Sequence, residues 1–559
     1  MAPTIGTPRA LALGVCCFAL SIASPAFGQA VLVEIEGATA GDTLGHAVSD
    51  VGDVDNDGFD DYIVSSKLEK VNGVPAGVVR VYSGKSGLVI HTFSGVTSAE
   101  WFGWSVSSVG DLDNDGHAEV LIGAPHDDTL ITDGGAAHVY DGATGLPMYS
   151  FYGPNYEAWF GYSVADAGDV NNDGTLDMVV GGWRDGFNGS DSGVARVYSG
   201  TNGAQLYEWY GDASGDELGF SVAGAGDTDQ DGWDDIIVAT LDIDTQVLDG
   251  GGARLFSGQT GGILNQFYGD DFADWYGYVV RGAGDLNGDG YGDVLASAPR
   301  DDNIGDDSGM FRVFSGFDYS LLLQIDGPVK SQFGWCVDPI EDINGDQVID
   351  YVVGLPRYLS YRGQAQIVSG ADGMTLQTYD AAAPSYFGYY VSTAGDTNGN
   401  GEPDVLIGAP FDDSVGNNAG RMELITPICG SGTAYSVGCP GDGGFTPWIK
   451  VAGCPTSNNV FQLGVEDGLG GSLAFLFFGI GQAPFVIGGG CALDVAPQVG
   501  IVVSLPLGGA GPGNGSITLN PLIPADFPPP YALNMAAAVI DPAAAGGYST
   551  TGGLTLEVR

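Results

Sequence analysis

The feature that most constrains this chain is an acidic nine-residue stretch that occurs seven times. Its first copy is Asp53-Val54-Asp55-Asn56-Asp57-Gly58-Phe59-Asp60-Asp61, followed at once by the apolar run Tyr62-Ile63-Val64. Further copies open at Asp111, Asp169, Asp227, Asp285, Asp342 and Asp396. The first five openings lie 58 residues apart, and the last two steps are 57 and 54. A fixed period of this size marks a repeat architecture, in which each unit buries its apolar face only against its neighbours.

Oxygen-bearing side chains at positions 1, 3, 5 and 9, with glycine at 6, describe a chain wrapped around a hard cation. Calcium takes about six to eight oxygens, and alternating Asp and Asn donors plus a backbone carbonyl can supply them. Glycine at 6 allows the positive φ of the sharp turn. An ordinary turn needs one or two such residues, whereas carboxylates packed this closely repel one another unless a cation sits among them. The expected calcium ligands are Asp53, Asp55, Asp57 and Asp61 in the first loop and Asp111, Asp113, Asp115 and Glu119 in the second. The third and fourth offer Asp169, Asn171, Asp173 and Asp177, then Asp227, Asp229, Asp231 and Asp235. The fifth and sixth offer Asp285, Asn287, Asp289 and Asp293, then Asp342, Asn344, Asp346 and Asp350. The seventh offers Asp396, Asn398, Asn400 and Asp404. The loops with four carboxylates, those at Asp53, Asp111 and Asp227, are expected to bind most strongly. The sixth, with Gln347 where glycine is wanted, and the seventh, with two carboxylates, are expected to be weak or empty. An EF-hand would carry a Glu at position 12 between helices. Here position 12 of the first loop is Val64, inside a β-branched run, so the loop joins two strands.

Seventy acidic residues against 17 basic ones give a net charge of −53, which opposes binding to nucleic acid or an anionic membrane surface. A hydrophobic content of 44% argues against disorder. Residues 1–29 read as a secretory signal peptide: Arg9, the apolar core Leu11 to Ala23, and a small-x-small site at Ala26-Phe27-Gly28. The chain is therefore expected to be exported, secreted or held at the cell surface, where calcium is plentiful. Cys336 falls in a repeat strand and reads as a buried free thiol. Cys429, Cys439, Cys454 and Cys491 lie beyond the repeats and are expected to form two disulfides, with three possible pairings.

Each repeat has the same internal order. The second runs Trp101-Phe102-Gly103-Trp104-Ser105-Val106, the acidic loop, Val120-Leu121-Ile122-Gly123-Ala124-Pro125, Gly135 to Tyr140, a turn, then Met148 to Phe151. These are four short β-type segments with turn signals between them. Four antiparallel strands per unit, repeated in series, make β-propeller blades. The last repeat stops after its third strand, Arg421 to Ile425, and the missing strand stands at the other end as Val31 to Gly37. Residues 31–37 are predicted to pair with 420–426 and close the ring, which removes an open sheet edge. The expected organisation is a propeller over residues 30–427 and a small Gly/Pro-rich β-sandwich over 428–559.

Phe102-Gly103, Phe160-Gly161, Phe333-Gly334 and Phe387-Gly388 before the acidic loop, and Gly123-Ala124-Pro125, Ser297-Ala298-Pro299 and Gly408-Ala409-Pro410 after it, resemble the FG-GAP repeat. That repeat builds the seven-bladed propeller of integrin alpha subunits, and the resemblance spans about residues 31–427. The first and fourth copies depart from it, with Leu44-Gly45 and Leu218-Gly219. The resemblance implies calcium loops between the first and second strands of each blade on one face of the disc, with partners meeting the opposite face.

On that opposite face two sets of loops are expected to converge. One carries Glu100-Trp101, Glu157-Ala158-Trp159, Asp274-Trp275 and Ser385-Tyr386; the other carries His126-Asp127-Asp128, Arg184-Asp185, Arg300-Asp301-Asp302 and Asp412-Asp413. Trp101, Trp159, Trp275, Tyr386, Asp127, Asp128, Asp301 and Asp302 are the candidate binding residues. An aromatic ring beside a carboxylate can stack on a sugar and accept its hydroxyls, or hold a cationic protein patch. The five histidines fall in the first two repeats, and no nucleophile elbow, phosphate loop or HExxH occurs. The sequence therefore points to a monomeric binding protein for extracellular glycan or protein, with structural calcium and no catalytic residues. A secreted lyase or hydrolase, or a surface-layer scaffold, is the alternative.

Overall fold

The computed structural model describes residues 30–242 and 250–427, and beyond these only strand segments between 432 and 558. Residues 30–427 form seven four-stranded antiparallel sheets, one for each acidic loop. In the first, Leu44–Gly52, Asp61–Ser66, Val78–Tyr82 and Val89–Ser94 lie side by side. The second strand of each sheet is buried along its whole length, as in Asp61–Ser66, Asp177–Gly182 and Asp293–Ala298. The fourth is mostly exposed or half-buried, as in Val89–Ser94 and Thr375–Asp380. Continuous apolar runs such as Tyr62-Ile63-Val64 thus fill positions covered on both faces, and the mixed runs form the outer rim.

The first strands of neighbouring sheets touch one another in an unbroken circuit, the seventh meeting the first, so they line a central axis. The architecture is a seven-bladed β-propeller. Its core is divided into seven apolar clusters, each made from two adjacent blades. Phe160, for example, packs with Leu121 and Val139 of the second blade and Met178 and Val180 of the third. The Phe-Gly signature is explained by this interface. Phe102, Phe160, Phe333 and Phe387 are buried, and Leu44, Leu218 and Tyr276 take the same place in the divergent copies. Gly161 has φ +86°, and a Cβ there would stand 2.1 Å from the Ala136 carbonyl oxygen of the preceding blade.

The ring closes as the repeat count requires. Ala30–Glu36 pairs antiparallel with Arg421–Thr426, from Ala30 opposite Thr426 to Glu36 opposite Arg421. Val33 and Ile35 pack against the cluster shared by the seventh and first blades, and the Leu44 N–H donates to the Ala419 carbonyl at 3.0 Å. The register starts one residue earlier than the sequence suggests, with a bulge between Val31 and Val33.

Cys336 is buried and free, its Sγ donating to the Val391 carbonyl at 3.3 Å. Among the described residues no helix is long and apolar enough to cross a membrane. Beyond the propeller, strands Leu473–Gly479, Ile501–Pro506, Tyr531–Ile540 and Leu554–Val558 share one sheet, and Trp448–Ala452, Gln462–Gly470 and Gly511–Leu519 form another. The expected signal peptide, sandwich packing and disulfides lie outside the described residues.

Candidate functional site

Each acidic loop joins the first and second strands of its blade. The position-1 aspartate folds the loop back on itself: Asp53 accepts the N–H of Asp57 at 2.9 Å and of Gly58 at 2.8 Å. Asp111, Asp169, Asp227, Asp285 and Asp396 do the same with their own loops. Position 6 is left-handed in all seven, from Gly116 at φ +93° to Gln347 at +70°. Carboxylate oxygens converge to within 4.8 Å in three of the loops, through Asp53, Asp55 and Asp57; Asp111, Asp113, Asp115 and Glu119; and Asp227, Asp229 and Asp235. All these donors are oxygens, which suits a hard cation such as calcium.

The position-9 carboxylate has a second role that the spacing did not reveal. Asp61, Glu119, Asp177, Asp235, Asp293, Asp350 and Asp404 are all fully buried. Asp61 Oδ2 accepts the N–H of Val54 at 2.8 Å, and its Oδ1 accepts the N–H of Gly84, in the turn between the third and fourth strands, at 3.0 Å. Gly200, Gly258 and Gly316 donate in the same way to Asp177, Asp235 and Asp293. The residue read as the last metal ligand therefore also bolts the loop to the far side of its blade. Burial pushes the carboxyls of Asp61, Asp235 and Asp404 up to about 6 and those of Glu119, Asp177 and Asp350 up to about 7.

Along the axis the chain places three layers in order. The residue after each Phe-Gly position comes first, then mid-strand residues, then the acidic loop. The first layer is a closed circle of seven rings: His46, Trp104, Tyr162, Phe220, Tyr278, Trp335 and Tyr389. Successive centroids lie 4.7, 5.1, 5.1, 5.3, 4.7 and 5.4 Å apart, and Tyr389 returns to His46 at 5.9 Å. These residues line a cavity of about 110 Å³. Below it, a polar cavity of about 310 Å³ is lined by Asp50, Asp166, Arg281 and Asp338, among others, and the Arg281 Nε donates to Asp338 at 3.2 Å. With about 3.3 Å per strand residue, the seven positions from His46 to Asp53 separate the ring circle from the acidic loop by roughly 20 Å.

The four aromatics singled out before Phe-Gly surround this circle. Trp101 stacks on Trp104 at 4.8 Å, Trp275 on Tyr278 at 5.8 Å, and Trp159 lies 6.2 Å from Trp101. Tyr386 packs edge-on against Phe411 at 5.0 Å. All four have positive φ and are half-buried. The expected carboxylates are placed differently. Asp127 and Asp301 are buried, each accepting an N–H two residues on, from Thr129 and Asn303. Asp128 and Asp302 are exposed and accept the N–H of Asp133 and Asp307. These aspartates organise their own loops. The groups lying over the tryptophans are basic instead: Arg300 is 3.9 Å from the Trp275 ring, Arg184 4.7 Å from Trp159, and Lys67, whose ammonium burial pushes down to about 7, 3.9 Å from Trp104. Trp275, Arg300, Trp335, Arg357, Tyr386 and Tyr389 help line a pocket of about 230 Å³. The seven-ring circle was visible in the sequence as an aromatic residue after the glycine in six of the seven copies, with His46 in the other.

A family model of the FG-GAP repeat matches residues 102–140 and 387–421, each span running from a buried Phe-Gly pair through an acidic loop to the third strand. Integrin alpha-V of Gallus gallus is 30% identical over 226 residues, which cover 37% of this chain and 21% of that protein. The chain carries FG-GAP repeats and is similar to integrin alpha subunits. Integrin alpha-5 of Xenopus laevis is 31% identical over 226 residues, covering 37% of this chain and 20% of the relative. Integrin alpha-PS3 of Drosophila melanogaster is 36% identical over 168 residues, covering 27% and 14%. The FG-GAP chain thus spans about a fifth or less of these curated relatives. A solved structure titled "Structure of Dos1 propeller" aligns with a TM-score of 0.37 at 9% identity, over 66% of this chain and 74% of that one.

Proposed function

We propose that this FG-GAP protein is an exported recognition module. In this reading its aromatic face takes an extracellular glycan or protein, as in adhesion, and calcium in the acidic loops holds the blades. The observation that carries the proposal is the unbroken circle of seven rings with Trp101, Trp159, Trp275 and Tyr386 around it, roughly 20 Å from the acidic loops. Stacking surfaces of this kind suit sugar rings and planar side chains. The charge on the face narrows the partner class. In a chain with 17 basic residues, Lys67, Arg184 and Arg300 stand over Trp104, Trp159 and Trp275, and Arg357 lines one pocket with Trp335, Tyr386 and Tyr389. Such a face favours partners bearing carboxylates or sulfates, reached by stacking and by guanidinium hydrogen bonds.

The experiment is a glycan array containing neutral, uronate and sulfated arms, alongside a panel of immobilised extracellular proteins, probed with the whole chain. The expected result is acidic-partner binding that weakens with salt and drops at least about tenfold in W275A and R300A, the loss of a hot-spot aromatic or arginine. Binding that survives both substitutions would contradict the assignment of the face. Release of shortened products from a polysaccharide would favour a secreted lyase or hydrolase.

A further inference from the structure

A fourth convergence of carboxylates lies away from the seven acidic loops. Asp270, Asp274 and Asp301 bring one oxygen each to within 4.8 Å of the others. Asp270 and Asp274 come from the segment that enters the fifth blade, and Asp301 follows that blade's second strand. Asp274 and Asp301 are 3% and 1% exposed, and the Oδ2 atom of each is buried without a hydrogen-bond donor. A buried carboxylate oxygen in that state is costly unless a donor or a cation meets it.

The sister blades show how unusual this is. Asp42, Glu100 and Asp216 occupy the same place, two residues before the glycine's aromatic or aliphatic partner, and each caps its own loop. Asp42 accepts the Thr39 N–H at 2.7 Å, Glu100 the Thr97 N–H at 3.1 Å, and Asp216 the Asp212 N–H at 2.6 Å. Asp274 accepts no such bond among the described residues. The counterparts of Asp301 are likewise satisfied: Asp185 Oδ2 accepts from the Asn155 side chain at 2.8 Å, and Asp412 Oδ2 lies 3.5 Å from the Arg421 Nε. In the fifth blade Asp274 lacks its loop donor and Asp301, although its Oδ1 holds the Asn303 N–H, keeps an unpartnered Oδ2, and both face a third carboxylate.

We infer that Asp270, Asp274 and Asp301 form a binding site for a hard divalent cation, calcium in the first instance, separate from the seven repeat loops. The donor set is all oxygen, which calcium and magnesium prefer over softer metals. Calcium–oxygen bonds of about 2.3–2.6 Å place opposed ligands about 5 Å apart, matching the observed spread. Arg312 holds Asp270 Oδ2 at 2.7 Å, fixing that side chain and leaving its second oxygen for the ion. The Asp270 side chain is 52% exposed, so water can enter to complete the shell.

The test uses the full chain and two probes. Crystals soaked in Mn²⁺ should give an anomalous peak among the three carboxylates, and D274N should remove that peak while leaving those in the repeat loops. Bound calcium counted by elemental analysis in millimolar calcium should fall by one ion per chain in D274N. The variant should also melt higher than the unmodified protein in EGTA, because a repelling charge has gone. A folded D274N with an unchanged calcium count would overturn the site and point to a shared proton instead. If D274N does not fold, the soak of the unmodified crystal decides: peaks in the repeat loops with none at Asp274 would overturn it equally.

Discussion

The Asp60 carboxylate accepts a hydrogen bond from the backbone N–H of Asp396 at 2.8 Å, across 336 residues of chain. Asp60 is position 8 of the first acidic loop, and Asp396 opens the last. The same contact joins Asp234 to the N–H of Asp169 at 2.7 Å, between the fourth and third loops. The acidic loops are therefore linked to one another as well as to their own blades. Closure of the ring rests on this clasp, on the strand Ala30–Glu36, and on the apolar cluster shared by the seventh and first blades.

Deleting residues 30–36 removes a six-pair ladder and takes away Val33 and Ile35, whose packing on the cluster shared by the seventh and first blades contributes about 1 kcal/mol each. It also leaves the strand Arg421–Thr426 as an open edge, a template for association. The expected outcome is a lower melting temperature and concentration-dependent oligomers by light scattering. A truncated chain that stays monomeric with an unchanged melt would show that the strand is not the closing element.

Gln347 holds φ +70° at the position where six sister loops have glycine. A non-glycine residue there costs about 1–2 kcal/mol. Gln347→Gly is therefore expected to stabilise the protein by about 1 kcal/mol in chemical denaturation, and to do so with or without calcium. A neutral or destabilising result would place the Gln347 side chain in a favourable contact that outweighs the strain.

Asp50 lies in the axial cavity, and burial, followed by repulsion from Asp338, Asp166 and Asp60, pushes its carboxyl up to about 7. A folded-state value above the unfolded one means that the native protein holds the extra proton between about pH 4 and 7. Asp50 thus costs nothing below pH 4, and its penalty grows as pH rises and is complete above 7. D50N should melt with the unmodified protein at pH 4 and above it at pH 8. An equal difference at both values would assign the effect to packing rather than charge.

The sequence exposed the parts of this fold that repeat in phase. The blade number, the four strands, the closing segment and the burial of Phe102, Phe160, Phe333 and Phe387 all follow from period and apolar pattern. Features made by residues from different repeats were harder to see. His46, Trp104 and Tyr162 look like isolated core positions until seven first strands meet on one axis. Asp127 and Asp301 looked like face residues because a polar loop hides the fact that its first aspartate turns inward to hold the backbone. Asp61 and its six counterparts fit both a ligand and a bolt, and spacing alone does not separate those roles.

Calcium in the acidic loops is proposed to hold the ring of blades together. A site filled at one hundred times its dissociation constant adds about 2.7 kcal/mol, so emptying three loops should lower the melting temperature on the order of 10 °C. The direct measurement is calorimetric melting of the full chain in calcium and in EGTA, paired with elemental analysis of the purified protein. Several bound calcium ions and a large fall in melting temperature on chelation are expected. A folded chain that carries no calcium and melts at the same temperature in both buffers would contradict the proposal.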